Sequence, residues 1–512
     1  MKQLTYIILK SALLSALFFA TTVSFGQNGK LKLLPGSKLM EYDQRNSTYK
    51  LIGNVRFEYQ QNTMFCDSAF FNENTEIVKA FGKVHINKRD TLNLFCDSLL
   101  YSGKTQKAKL WGNVRVRDKE YKLTTDTLDY DAKAGQAHYH YGGRVESTTS
   151  SEVLTSRIGY FHPESKNFFF SKNVSYKSNE LEMTTDTLRY LYSNNTTYFY
   201  GPTDIVADDA IMHCESGEYN VNSGKGSLVG NASISRENDF TSGDTLIYNP
   251  DEGYSEGKGN VRFVDSTENL TFRGDYAFNS DSLNYSFLTG NAIVEKQMDD
   301  DTLFIHADTL YNEKIDSVNK MKAFNNAKLF SNEFQCKADS MVFEQDSNRI
   351  DLFREPIVWS KDAELKGKHI RLTVNDSLVE KAEITEGASI LMEVEKELYY
   401  NQIYGKDITA YFEEKGIRQA NVQGNAITIF YPVDEEKTDS TLTQKRMGMN
   451  RLYSSSLKIQ IDSNEIESIT YIDEPDGAFY PMDQIKKDEQ FIPGFDWKAA
   501  LRPKSMSDLL KD

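Results

Sequence analysis

The chain repeats itself about every thirty residues, and a sequence that does so buries its apolar face by stacking one copy on the next. Two short signatures alternate. The first, Gly-Asn-Val or a close variant, stands at Gly53, Gly82, Gly112, Gly142, Gly201, Gly230, Gly259, Gly290, Gly387 and Gly424, with early steps of 29, 30 and 30 residues. Degenerate copies fill empty slots: Ser171-Lys172-Asn173-Val174, Asn325-Asn326-Ala327-Lys328-Leu329 and Glu355-Pro356-Ile357-Val358. The second signature, Asp-Ser/Thr-Leu-x-Tyr, keeps the same beat at Asp67, Asp97, Asp126, Asp186, Asp244, Asp275, Asp308, Asp339 and Asp407, with Arg157 and Glu215 standing in where it is skipped.

The first signature reads as a strand start, because alternation follows it. Val55, Phe57 and Tyr59 alternate with Arg56, Glu58 and Gln60, and Val261 and Phe263 alternate with Asn260 and Arg262, the writing of a half-buried strand. No stretch beyond residue 26 keeps a 3.6-residue apolar period. The fold class is therefore all-β, an elongated solenoid of antiparallel strands ending in an irregular C-terminal tail. Around the Asp block, large apolar residues stand three before Asp (Leu94, Leu123, Met183) and small ones stand immediately before it (Cys96, Thr125, Thr185). Apolar residues return two and four after it: Leu99 and Tyr101, Leu128 and Tyr130, Leu188 and Tyr190, Leu246 and Tyr248. The inward parity flips at Asp, which a straight strand does not do. A bulge or corner is expected there, bending the chain from one sheet to a facing one, with Asp accepting local backbone N–H bonds.

At 512 residues the chain exceeds one ordinary core, a limit that a stack of repeats escapes. Thirteen copies, at two strands of ~4.8 Å each, imply a stack on the order of 120 Å. Residues 1–26 read as a secretory signal: Lys2, an apolar stretch over 6–20 broken by Lys10 and Ser11, and the small-x-small run Ser24-Phe25-Gly26. The formal charge of −16 opposes nucleic-acid binding and implies that an anionic lipid is held chiefly through its apolar part. Cys66, Cys96 and Cys214 share the small slot before the acidic residue. Two strands per repeat would put Cys66 and Cys96 about 10 Å apart, too far for a disulfide, so they read as small buried hydrophobes.

In chain order, 27–294 is regular β-repeat and 295–430 is looser. Residues 431–512 hold a polar loop (432–450), closing strands (452–461 and 466–471) and a tail with Gly494-Phe495-Asp496-Trp497, Leu501-Arg502-Pro503 and a short helix over 506–510. The tail is expected to cap the last open strand or to dock a partner. Reaction chemistry is not written here. His138 and His140 share a face without a third ligand, Asp299-Asp300-Asp301 reads as a solvated hairpin tip, and a periodic Asp is a structural habit rather than a catalytic pair. No phosphate loop, dinucleotide fingerprint or nucleophile elbow is present. No cofactor, metal or catalytic residue is assigned, and an enzyme is not expected.

The alternating series resembles the OstA-like (organic solvent tolerance) family over residues 39 to about 430. It is carried most clearly by Gly53-Asn54-Val55, Gly112-Asn113-Val114, Gly259-Asn260-Val261, Thr125-Asp126-Thr127-Leu128 and Ala307-Asp308-Thr309-Leu310. The closing Phe495-Asp496-Trp497 and Leu501-Arg502-Pro503-Lys504 look like the end of long OstA-like proteins of Bacteroidota-type bacteria. The resemblance implies a β-jelly-roll folded like a taco, with an apolar groove for the acyl chains of lipopolysaccharide or a related glycolipid. It also implies a periplasmic location, at or near the outer membrane, with end strands pairing with inner- and outer-membrane transport components or head-to-tail with a second copy. The groove candidates are Val55, Phe57, Leu94, Leu99, Tyr101, Val114, Leu128, Tyr130, Met183, Leu188, Tyr190, Leu246, Tyr248, Val261 and Phe263. The competing readings are a structural envelope scaffold and a carbohydrate-binding β-solenoid that carry no lipid.

Overall fold

The computed structural model describes residues 31–511 except 60–61, 89–91, 118, 120, 163–166, 180, 192, 208, 221, 281, 299, 316–317, 345–346, 376–377, 415, 439–440 and 463–464. The signal expected at 1–26 lies outside the described residues. Strands make up 73% of the chain and helix 3%, which establishes the all-β class. The chain divides into two compact units, Met1–Ser255 and Glu256–Asp512.

The first unit opens with β1 (Lys32–Leu34), β2 (Leu39–Asp43), β3 (Thr48–Tyr59), β4 (Asn62–Asn72), β5 (Ile77–Lys88), β6 (Leu92–Ser102), β7 (Lys107–Arg117) and β8 (Tyr121–Asp131). From β3 to β8 each strand pairs antiparallel with the next. The short β1 and β2 both lie on β3 and form an exposed edge.

Both signatures sit in the middle of strands rather than at their starts. Between β3 and β4 the pairing jumps from Ile52 with Ser68 to Val55 with Cys66, so Gly53 and Asn54 together face Asp67. The same two-against-one bulge recurs at Gly82-Lys83 opposite Asp97 and at Gly112-Asn113 opposite Asp126. A bulge bends its strand and sharpens the local twist, which makes the corner. The extra residue belongs to the Gly-Asn strand and not, as the sequence pattern suggested, to the Asp strand. All ten glycines of the series have positive φ, and the residue after seven of them does too, usually Asn, whose short polar side chain tolerates the left-handed region.

The expected role of Asp as a local backbone acceptor is also corrected. Asn113 Nδ2 donates to Asp97 Oδ2 at 2.7 Å, Asn291 Nδ2 to Asp275 Oδ2 at 3.1 Å, and Asn231 Nδ2 to Glu215 Oε1 at 2.8 Å. The carboxylate therefore reaches the corner Asn of the following Gly strand, and its own side chain lies over that strand's Gly. A Cβ at Gly112 would stand 2.5 Å from Asp97 Oδ2. The two signatures alternate because each fills the space the other leaves.

The parity flip itself is observed. On strand Leu181–Leu191, Leu181, Met183 and Thr185 are buried, and after the corner Leu188 and Tyr190 are buried. The apolar residues of both limbs enter one core, as a strand folded back on itself requires. Along one limb the register aligns Phe57, Met64, Ile86, Leu94, Val116 and Leu123 into a continuous apolar row across β3–β8.

In the second unit the degenerate corners keep their geometry, with Asn325 and Asn326, and Arg354 and Glu355, at positive φ. Its core is sealed: Leu352, Ile370, Leu372, Ile384, Ile390 and Ile403 are fully buried. The closing strands appear as Gly448–Asp462 and Glu465–Ile472, joined on the same edge by Asp476–Pro481. The loop expected over 432–450 holds a two-stranded hairpin, Val433–Thr438 with Thr441–Arg446. Asp301 is buried rather than solvated, accepting the Asn332 backbone N–H and Nδ2 at 2.9 and 2.8 Å; Asp299 lies outside the described residues.

The tail does not cap the last strand. It runs back over the outer face of one limb as a strap. Leu391, Ile429 and Met449 point outward there and form a second apolar cluster with Ile492. Polar hooks fasten the strap along its length. Arg451 Nη1 donates to the carbonyls of Glu489 and Phe491 at 2.6 and 3.0 Å, and Gln402 exchanges hydrogen bonds with Gln490 and Ile492 at 2.8 and 2.9 Å. The fully buried Glu364 accepts Trp359 Nε1 at 2.9 Å and the Lys498 backbone N–H at 3.0 and 3.1 Å. Arg502 Nε meets Gln335 Oε1 at 2.6 Å. The expected helix is Met506–Leu509, and the buried Lys328 donates to the Leu509 carbonyl at 3.2 Å. An apolar outer face needs such a cover, which is why the tail lies here and leaves Asp476–Pro481 largely exposed.

Candidate functional site: the interior of the first unit

Each long strand runs from a hairpin turn at one lip, through the corner, to a turn at the other lip. Coverage of the interior follows that path. On β6, Cys96 and Leu99 beside the corner are buried, while Leu92, Leu94 and Tyr101 toward the two lips are half-buried. On β4, Cys66 and Ala69 are buried, and Met64 and Phe71 are half-buried. Side-chain size rises in the same direction, from Cys, Val and Ala at the corner to Leu, Phe and Tyr at the lips, as a wedge-shaped space demands. Over β3–β7 this leaves apolar, inward-facing side chains incompletely covered. Farther along the unit the space closes, with Tyr121, Leu123, Phe168, Leu181 and Tyr190 all buried.

Of the residues singled out from sequence, Val55, Phe57, Leu99, Val114, Leu128, Met183, Leu188, Tyr190, Leu246 and Val261 are buried. Leu94, Tyr101, Tyr248 and Phe263 are half-buried, and Tyr130 is 36% exposed near its lip. Val261 and Phe263 fall in the second unit. The open stretch also includes Tyr49, Phe71, Ile86 and Leu92, which pattern reading passed over. Cross-strand register finds them: Ile86 stands opposite Met64 and Leu94, and Tyr49 opposite Phe71.

The interior offers little reactive chemistry. The four cysteines are free and buried, with β5 lying between the strands of Cys66 and Cys96. Burial pushes the thiols of Cys66 and Cys96 up to about 12 and that of Cys214 to about 11, so they stay protonated at neutral pH. His138, on the outer face, lies 3.6 Å from Asp129 and stacks on Tyr160, and burial lowers its pKa despite that carboxylate. Among the described residues no group of three or more His, Cys, Asp or Glu side chains is placed to hold a metal.

A repeat of bent antiparallel strands around an apolar interior, open along part of its length, defines a β-trough protein. Residues 34–186 match the family model for OstA-like proteins, and the chain is assigned to the OstA-like family on that stretch, which contains the whole open segment. No curated protein matches the chain.

Proposed function

We propose that the first unit holds the acyl chains of lipopolysaccharide or a related glycolipid and shields them during passage between inner and outer membranes, so contributing to outer-membrane assembly. The observation that carries this reading is the row of half-buried Met64, Ile86, Leu94 and Tyr101 facing an incompletely filled interior. Each methylene moved from water into such a space contributes about 0.8 kcal/mol, so ten of them supply ~8 kcal/mol before ordering costs. In this reading the protein is exported to the periplasm and performs no catalysis. The β1/β2 edge, with Leu39, Met40 and Tyr42 exposed, receives a strand from a transport component or a second copy.

The sealed interior of the second unit supports a scaffold role for that half. A photo-reactive amino acid at Leu94 or Tyr101 in living cells should crosslink to lipopolysaccharide, and one at Ile390 should not. Lack of a lipid adduct at both Leu94 and Tyr101 would remove the transport reading and leave the scaffold.

A further inference from the structure

Eleven Lys and Arg stand against four Asp and Glu between Lys79 and Lys122, in a chain whose overall charge is −16. The net charge hides this surplus, and the register shows how it is laid out. On the outer face of one limb, Lys50 pairs with Phe70, Phe70 with Lys79, Lys79 with Leu100, and Leu100 with Lys109. Cation and apolar side chain alternate directly across β3–β7. Gly strands supply the cations and Asp strands the apolar residues, so the row repeats with the same period as the corners.

Adjacent strands lie about 4.8 Å apart, which spaces the lysines at ~10 Å with an apolar side chain between each pair. Phe70 is 40% exposed and Leu100 half-buried. Lys50 is held by Glu41 at 3.0 Å. Lys79 and Lys109 are exposed, and among the described residues neither forms an ion pair. The facing acid is Asp129, which lies opposite Lys109 and is itself 3.6 Å from His138. The matching row on the other limb is different. There Arg56 lies over the Phe65 ring at 5.6 Å, His85 stacks on Phe95 at 4.4 Å, and Arg115 covers Phe95 at 5.5 Å, so its cations are already engaged by rings.

We propose that the row Lys50–Phe70–Lys79–Leu100–Lys109 docks this face of the first unit on an anionic lipid bilayer. Lysines reach headgroup phosphates while their stems and the intervening Phe70 and Leu100 lie at the apolar boundary. This surface is on the outside of the limb and does not depend on what the interior holds.

The test is co-sedimentation of the full chain with vesicles of phosphatidylcholine containing 30% phosphatidylglycerol, compared with phosphatidylcholine alone. Binding is expected only to the anionic vesicles and to weaken with added salt. At about a fivefold loss for each lysine removed near the surface, Lys79→Gln with Lys109→Gln should lower affinity by roughly thirtyfold. Lys79→Arg with Lys109→Arg should restore it. Lys406→Gln with Lys458→Gln, two exposed lysines of the second unit, changes net charge equally and should leave binding intact. Equal binding to both vesicle types, an equal loss in the second-unit variant, or no sedimentation at all overturns the proposal. So does binding of a duplex oligonucleotide that depends on Lys79 and Lys109 without vesicle binding.

Discussion

Replacing one corner glycine by alanine separates two reasons for its presence. Gly112 and Gly387 share a φ of +78°, but a Cβ at Gly112 would lie 2.5 Å from Asp97 Oδ2, 2.8 Å from its Cβ and 3.0 Å from its Cγ, whereas at Gly387 nothing lies within 4 Å. Left-handed backbone costs alanine about 1–2 kcal/mol, and forcing an atom into filled space adds about 1–3 kcal/mol. Gly387→Ala should therefore destabilise its surroundings by ~1–2 kcal/mol and Gly112→Ala by ~2–5 kcal/mol. Native-state hydrogen exchange reads both as local opening free energies, at the amides of β6 and β7 for the first and of Leu378–Glu395 for the second. Adding Asp97→Gly to Gly112→Ala removes all three colliding atoms and should return most of the difference. Equal losses at the two glycines, or no recovery in the double variant, would refute the packing of acid on glycine as the reason the signatures alternate.

Glu364→Gln keeps the shape but removes the charge that the Trp359 indole and the Lys498 amide donate to. Strap docking should weaken by about 1.5–3 kcal/mol, seen as tryptic cleavage after Lys498 and Arg502 roughly ten- to a hundredfold faster. With their thiols pushed up to about 12, Cys66 and Cys96 should react with iodoacetamide at pH 8 roughly a thousandfold more slowly in the folded chain than in guanidinium, as read by mass spectrometry. Burial depresses the His306 pKa, with Lys328 adding to the effect against the Ala292 carbonyl it donates to. As pH falls below about 6.5 the unfolded chain takes up a proton that the folded chain resists, so stability is lost in that direction. His306→Asn should flatten that loss in denaturant titrations run between pH 7 and pH 5.

The corners were legible in the sequence because they rest on two residues that few others replace: a glycine under an acid, and a short amide able to sit at positive φ. The register was not. Alternation shows where parity flips but not which strand carries the extra residue, so the bulge was placed on Asp97 rather than on Gly112-Asn113. The interior was read from the Asp strands, where the signature is strong. Ile86 and Tyr49, on Gly strands, surface only when pairs are matched across the sheet. The lysine row was hidden by the net charge, although Lys50, Lys79 and Lys109 keep the repeat's own spacing. The strap left no periodic trace at all, since Glu364, Gln402 and Lys328 each meet it once and far away in sequence.

That long reach sets an order of events. Strands β3–β8 each pair with the segment immediately before them, so the first unit can zip up progressively as the polypeptide is synthesised. Glu364 and Lys328, by contrast, wait more than a hundred residues for Lys498 and Leu509, holding charges without their partners until the final stretch emerges. The last segment made is thus the one that locks the second unit, and a ribosome stalling short of it would release a product with its polar hooks unfilled.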